Sequence, residues 1–334
     1  MSRAVLASLA GLAALAALPF LASPYVLHIA VQVLILGIIY TAWGFMGRFG
    51  LVSLGHGAFL GVGAYTSALL WNLWGITPWL GIPAGVALAV LLALVIGFPC
   101  FHLKIVGHYF ALVTLALGQV VALFVVAARD YTSGSLGMTP KAVGQSVFAL
   151  QFPNRIHFYF IALVLWLLVL WVRHWVSFGM RRAALDAIGE DETAAAAAGI
   201  DVMREKLRVT VISAAITAFG GSVLTQYLMY LNPETVAGVG ISLQIVFAAI
   251  AGGMYSALGP TVGALLTLAL TEGLRILFGT SFIGAANTIY GILLILFIVF
   301  MPRGILGVIE NHLARKAPLP LAEEGGARRN APGG

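Results

Sequence analysis

Ten apolar runs, most of them about 20 residues long, leave this chain almost no room for a water-exposed surface. They lie at roughly 4–22, 25–46, 58–74, 79–101, 109–128, 158–172, 207–230, 241–258, 261–278 and 287–301. Only 9% of the residues are charged and 61% are hydrophobic, against about 25% charged in ordinary soluble domains. The runs are continuous rather than alternating, so they predict membrane helices and not barrel strands. The expected fold is all-α, a polytopic bundle of about 9–10 transmembrane helices over residues 1–301. The remainder, 302–334, is a tail whose end, APLPLAEEGGARRNAPGG, is polar and rich in Pro and Gly and is expected to be disordered. The first run has a basic start at Arg3 and a Leu-Ala-Ser end, which allow a signal peptide, but its length favours an uncleaved span.

One long polar segment interrupts the pattern, Arg181–Lys206, reading RRAALDAIGEDETAAAAAGIDVMREK. The alanines 194–198 predict a helix that stops at Gly199, and Gly189 predicts a bend between two short helices. Glu190, Asp191 and Glu192 would then occupy the first turn of the second helix, complementing its dipole. From Arg173 to Arg208 the bases Arg173, Arg181, Arg182, Arg204, Lys206 and Arg208 balance the acids Asp186, Glu190, Asp191, Glu192, Asp201 and Glu205. A neutral amphipathic segment is not drawn strongly to anionic lipid, so docking into a soluble partner suits it better than lying on the membrane.

The formal charge of +6 reports orientation. With a cytoplasmic start, Arg3, Arg48, Lys104, the bases of 173–208, Arg303, Arg315, Lys316, Arg328 and Arg329 fall on one side. Arg129, Lys141, Arg155 and Arg275 fall on the other. The positive-inside rule then makes the 173–206 loop and the C-terminus cytoplasmic and turns the polar 129–157 loop outward.

The stretch 47–70 is dense in glycine, and Gly57 and Gly61 have the spacing that lets membrane helices approach closely. Its start, 47–57, is polar enough to be partly non-helical. Gly259 and Gly263 recur late in the chain, with Gly259-Pro260 read as a tight turn. Candidate groups along a translocation path are Ser53, His56, Tyr109, Thr114 and Gln119. His56 is either a protonatable group on that path or a cap on a helix entry at the cytoplasmic edge. Gln119, Gln226 and Gln244 either meet substrate or bond a neighbouring helix. Glu272 and Arg275 are spaced for a local ion pair. Trp71, Trp74, Trp79, Trp166, Trp171 and Trp175 lie near span ends, as an interfacial belt would. No Walker A loop, dinucleotide fingerprint or metal-ligand spacing appears, and the lone Cys100 allows no intrachain disulfide. No catalytic residue, cofactor or metal is expected, and ATP-driven transport would need an ATPase on another chain.

Several ordered blocks resemble the LivH/LivM-type permeases, the membrane subunits of ABC importers for branched-chain amino acids. FGMRRAALDAIGEDETAAAAAGID resembles the family's cytoplasmic loop, and GLVSLGHGAFLGVGAYTSALL its N-terminal signature. GHYFALVTLALGQV, ISLQIVFAAIAGGMYSALGPTVGALL and MPRGILG are similar to its later blocks, and the whole is nearer the LivM branch. The resemblance implies a permease of the bacterial inner membrane that moves small polar solutes, by default branched-chain amino acids. It implies a second, LivH-like permease, two cytoplasmic ABC ATPases and an extracytoplasmic solute-binding protein as partners. It also implies that a coupling-helix loop carries ATPase closure to the membrane helices through Leu185, Ala187, Ile188, Gly189, Glu190, Asp191, Glu192 and Gly199. Family members often carry Glu where Gln119 stands, and an acid in the turn that here reads Thr132-Ser133-Gly134-Ser135-Leu136-Gly137. These departures bear on the solute, with urea, amides and other amino acids as alternatives. An ion-coupled carrier is the more distant reading, because only Glu272 approaches a mid-membrane acid.

Overall fold

The computed structural model describes residues 3–176 and 180–278, with short pieces at 288–289, 291–293, 295–296, 300 and 304–307. Among the described residues every regular element is helical. In chain order they are α1 (Arg3–Leu21), α2 (Pro24–Gly47), α3 (His56–Trp74), α4 (Pro78–His102), α5 (His108–Ala127) and α6 (Arg129–Thr132). There follow α7 (Arg155–Val176), α8 (Met180–Glu190), α9 (Glu192–Ala197), α10 (Val202–Leu228), α11 (Pro233–Val236), α12 (Val239–Gly252) and α13 (Gly259–Phe278). Seven are long and apolar enough to cross a membrane: α2, α4, α5, α7, α10, α11 taken with α12, and α13. The expected last span, 287–301, lies almost wholly outside the described residues, as does most of the tail.

The centre is built from α2, α3 and α10. From Leu34 to Gly47 every residue of α2 is buried, all round the helix, which is what an apolar helix without a polar stripe requires. Against it, α3 is too polar to count among the seven. It carries His56, Tyr65, Thr66, Ser67 and Asn72, and it need not be apolar because protein rather than lipid surrounds it. Glycine sets the spacing between α3 and α10. A Cβ on Gly63 would lie 2.1 Å from the Ala218 carbonyl oxygen, and one on Gly221 2.3 Å from that of Leu60. The two backbones touch, the small-residue packing that replaces hydrophobic drive inside a bilayer. By contrast Leu80, Leu91, Val95 and Phe98 stand exposed on α4, a lipid-facing flank. At the start of the chain α1 packs on α7, where the Tyr159 hydroxyl donates to the Leu15 carbonyl at 2.8 Å.

Several boundaries depart from the sequence expectation. The bend in the polar segment is at Asp191, not Gly189. Asp191 is extended and its carboxylate accepts from the backbone of Thr193 and Ala194, so an N-cap starts α9 while Gly189 stays inside α8. Only Glu192 lies in the first turn of α9, since Glu190 ends α8. The span expected at 241–258 ends at Gly252, because Gly253 takes φ +111 and breaks the helix. Gly259-Pro260 is not a turn but the first turn of α13, where proline lacks no bond it needs. Trp166 is no interfacial anchor. It is buried and its Nε1 donates to Thr261 Oγ1 at 2.9 Å, joining α7 to α13.

The bundle has two chemically different ends. At one, the C-termini of α2, α4 and α7 meet α8, α9 and the start of α10, bringing Arg48, Lys104, Arg173, Arg182, Arg204, Lys206 and Arg208 together. At the other lie Arg129, Lys141, Arg155 and Arg275. There Arg155 donates to the Pro24 carbonyl at 2.9 Å. Arg275 pairs with Glu272 at 2.6 Å, which also accepts from the Tyr25 hydroxyl.

Candidate functional site

Two regions carry chemistry, one at the basic end and one on the flank of the bundle. At the basic end α8 is amphipathic. Leu185 and Ile188 are 2% and 3% exposed, packed in an apolar cluster with Phe45, Phe49, Phe101 and Val209. Ala187 is half-buried beside them, while Gly189 and Glu190 face outward. Asp186 is held between Arg182 at 3.4 Å and Arg48, the C-cap of α2, at 3.9 Å. α8 is therefore clamped to the end of α2 by an apolar edge and an ion pair.

The three consecutive acids do three different things. Glu190 is exposed and forms no ion pair with the described residues. Asp191 Oδ1 accepts from the Thr193 hydroxyl at 2.6 Å and from the backbone N–H of Thr193 and Ala194 at 2.8 and 3.2 Å. The Thr193 hydroxyl first, then those amides, hold the Asp191 carboxyl below the usual carboxylate range. Glu192 turns inward and forms an ion pair with Lys206 on α10. Lys206 is buried, with its Nζ 5.8 Å from the centre of the Phe101 ring. Beyond α9, Gly199 takes φ +86 and turns the chain toward α10. Arg173 is buried as well, and its Nη2 donates to the Met254 carbonyl at 2.9 Å, tying α7 to the turn between α12 and α13. A charge count alone treats Lys206 and Arg173 as solvated. Both are structural.

On the flank, α5 faces α11 and the start of α12 across a groove of about 740 Å³. Gln119, Glu234, Thr235 and Gln244 supply its polar groups, and Leu123 and Gly240 are among the others lining it. Asn232 caps α11 by accepting from Thr235 N–H at 2.8 Å, and Pro233 takes the first helical position, so Glu234 is set on a rigid turn. Leu231 pairs with Met138 of the loop between α6 and α7, which places Glu234 about one helical turn from that end of the bundle. Gln244 donates to the Tyr40 hydroxyl at 3.2 Å. Gly57 and Gly61 seat this broken helix. Cβ atoms there would lie 2.6 Å from Ser242 Oγ and 2.7 Å from Ala237 Cβ. Gly259 and Gly263 fill the matching role between α13 and α12, with Cβ positions 1.7 Å from the Gly253 oxygen and 1.9 Å from that of Ala248.

Of the five sequence candidates for the path, only Gln119 lines the groove. Tyr109 is exposed at the other end of α5. Ser53 and Thr114 are buried and serve the non-helical entry 48–55. The Ser53 carbonyl accepts from Trp43 Nε1 at 2.7 Å, and Thr114 Oγ1 accepts from Leu54 N–H at 3.1 Å. His56 is fully buried, with Nε2 2.8 Å from Ser213 Oγ. That hydroxyl donates to the Ala42 carbonyl at 2.6 Å, so His56 carries its proton on Nε2. Ser213 lies about 16 Å along α10 from its start, so His56 is deep in the bundle and not at the end where α10 begins. Glu234 and Thr235 escaped the sequence reading because 231–240 passed as a mere link. Asn-Pro-Glu-Thr is, however, a helix-start signal of cap and first-turn proline.

The profile of the family described as "Branched-chain amino acid transport system / permease component" matches residues 25–301. The chain is similar to the high-affinity branched-chain amino acid transport system permease protein LivM of Escherichia coli (strain K12). The two are 29% identical over 89% of this chain and 74% of that protein. LivM of Salmonella typhimurium is 28% identical over 92% of this chain and 76% of its own length.

Proposed function

The chain belongs to the family of branched-chain amino acid transport permease components, and from that premise we propose that it is one membrane half of an ABC importer for branched-chain amino acids. The groove of α5, α11 and α12 forms this chain's share of the path. A second, LivH-like permease closes the groove, a solute-binding protein delivers from the Glu234 end, and two cytoplasmic ATPases dock on α8 and α9. The membrane is the bacterial inner membrane, with the basic end and the C-terminus in the cytoplasm. Glu234 faces the ammonium group of the passing amino acid, and the carboxamides of Gln119 and Gln244 meet its polar atoms further in.

The observation that carries this reading is the joint placement of an inward-anchored, outward-facing α8 and a polar groove on one rigid bundle. Closure of the ATPases moves α8. Because Leu185, Ile188 and the pairs to Arg48 and Lys206 fasten α8 and α9 to α2 and α10, the movement passes to those helices. The two packings so exchanged are biased by ATP rather than by any bond chemistry in this chain.

Reconstitution tests it. Vesicles holding this chain, its permease partner, the ATPases and the binding protein should take up leucine only with hydrolysable ATP. The Glu234→Gln complex should assemble and take up leucine far more slowly. Concentrative uptake by this chain alone on an ion gradient would overturn the reading.

A further inference from the structure

The turn between α4 and α5 carries a charge that its backbone does not favour. α4 closes with two paired bonds: Ile105 N–H donates to the Cys100 carbonyl at 2.8 Å, and Lys104 N–H to that of Phe101 at 3.2 Å. Such a helix end puts one residue in the left-handed region, where glycine or asparagine is the usual choice. Here that residue is Lys104, at φ +55. A lysine kept where glycine is favoured points to a use for its side chain.

The turn is anchored on its inner side and bare on its outer side. The Phe101 and Phe110 rings stack at 5.3 Å, and Ile105 packs with them in the apolar cluster that holds Leu185 and Ile188. His102, Lys104 and His108 are exposed, and none forms an ion pair with an acid among the described residues. No Asp or Glu occurs in the chain before Asp130. Asp186, Glu192, Asp201 and Glu205, on the neighbouring α8–α10 segment, are each paired with other bases.

These bases stand at the end of an apolar stripe. Leu88, Leu91, Val95 and Phe98 are exposed along one face of α4, about 15 Å from first to last, which is the depth of one leaflet's hydrocarbon. His102, one turn beyond Phe98, stacks on its ring at 5.9 Å, so the stripe turns polar there. A soluble partner reaching the bases would leave Leu91 and Val95 uncovered, whereas a phospholipid covers stripe and bases together.

We propose that this turn binds an anionic phospholipid. The phosphate lies against Lys104, with the His102 and His108 rings beside it, and an acyl chain runs along Leu91, Val95 and Phe98. The site requires only that the chain spans a bilayer, whatever it transports.

Fluorescence quenching at the turn tests this. Val106→Cys, 40% exposed and outside the proposed contacts, carries the fluorophore in a full chain lacking Cys100, in phosphatidylcholine nanodiscs. Phosphatidylglycerol with a nitroxide on its acyl chain is the titrant, and identically labelled phosphatidylcholine the control. The anionic lipid should quench at a mole fraction about fivefold below the control, the preference that one base near an anionic surface confers. Lys104→Gln and Lys104→Gly should each remove most of that preference, and Lys104→Arg should keep it. Glycine is the residue the turn itself favours, so a merely structural role for Lys104 would not move the lipid preference in Lys104→Gly. Equal quenching by the two lipids, or a preference undiminished in Lys104→Gly, would overturn the proposal. Loss of quenching once the partner permease and ATPases are assembled on the chain would assign the turn to a protein interface and overturn it too.

Discussion

Removing the Glu192 carboxylate should loosen the whole α8–α9 segment from the bundle. Lys206 is 5% exposed at its side chain and Glu192 38%. Two unit charges about 4 Å apart attract by roughly 4 kcal/mol at an effective dielectric near 20. The part-exposed Glu192 brings water into competition, and exposed pairs are worth about 0–1 kcal/mol. The pair therefore sits between these limits, at about 2 kcal/mol. Glu192→Gln should cost about that, because it leaves a buried ammonium against Phe101 without its counter-charge. Lys206→Met in the same chain should restore most of the loss, since it removes the stranded charge. The readout is thiol labelling at Ala195→Cys, a position 3% exposed, in a background lacking the buried Cys100. Labelling there requires local opening of α9. Glu192→Gln should accelerate it about 30-fold, the equivalent of about 2 kcal/mol, and the double variant should label within a few-fold of the parent. Equal labelling of parent and Glu192→Gln, or additive losses in the double variant, would refute the claim that Lys206 depends on Glu192.

Glu190→Lys should leave insertion and stability unchanged but reduce ATP-driven uptake, because Glu190 points away from the bundle; undiminished uptake in reconstituted vesicles would remove it from the docking face. Gly63→Ala should abolish assembled complex, as its Cβ would sit 2.1 Å from the Ala218 oxygen, whereas Gly240→Ala, with nothing within 4 Å, should be silent; detergent-extracted yield compares them. The Asp191 cap fixes a pH dependence. Its carboxyl is held below the usual range, so the cap's contribution is complete above the ordinary carboxylate pKa, about 3.9, and is lost as pH falls through the depressed folded value. Hydrogen exchange at Thr193–Ala195 should quicken only in that acid range, and Asp191→Asn, an equally good cap, should erase the dependence.

The bundle was legible because a bilayer imposes one rule on every span, uninterrupted apolar helix, and α2, α4, α5 and α10 obey it plainly. What that rule hides is the difference between a lipid-facing helix and one enclosed by protein. α3 reads as a weak span for this reason: its Tyr65, Ser67 and glycines answer to α4 and α10 rather than to lipid. Charge was misread in the same way. Lys206 and Arg173 count as surface bases in one dimension, yet each fastens two helices, and the acids at 190–192 look like one patch although their backbone positions send them in three directions. Ser53, His56 and Thr114 looked like path residues because they are polar at membrane depth. Thr114 answers to the non-helical 48–55 segment, whose backbone groups must be satisfied inside the protein, by accepting from Leu54 N–H, while His56 bonds Ser213 on α10.

The same demand explains where the groove sits. α11 and α12 are one span interrupted at Ala237-Gly238, and an interrupted helix is tolerated at depth only against protein or a water-filled path. Here one side of the break is covered by Gly57 and Gly61 of α3, whose missing side chains let the Ala237 and Gly238 carbonyls come close. The other side faces Gln119 and is left open, with Glu234 and Gly240 exposed on it. A break supported on one flank and bare on the other is where this span bends most easily, since its helical hydrogen bonds are already interrupted there. On the proposed reading it is also where movement begun at α8 becomes useful. α10 runs from Lys206, held by Glu192, to the turn that carries α11, so a tilt of α10 about its glycine contact with α3 shifts α11 relative to α5. Widening or closing the groove then requires no bending of any intact helix, only a change at the two residues where the helix is already broken.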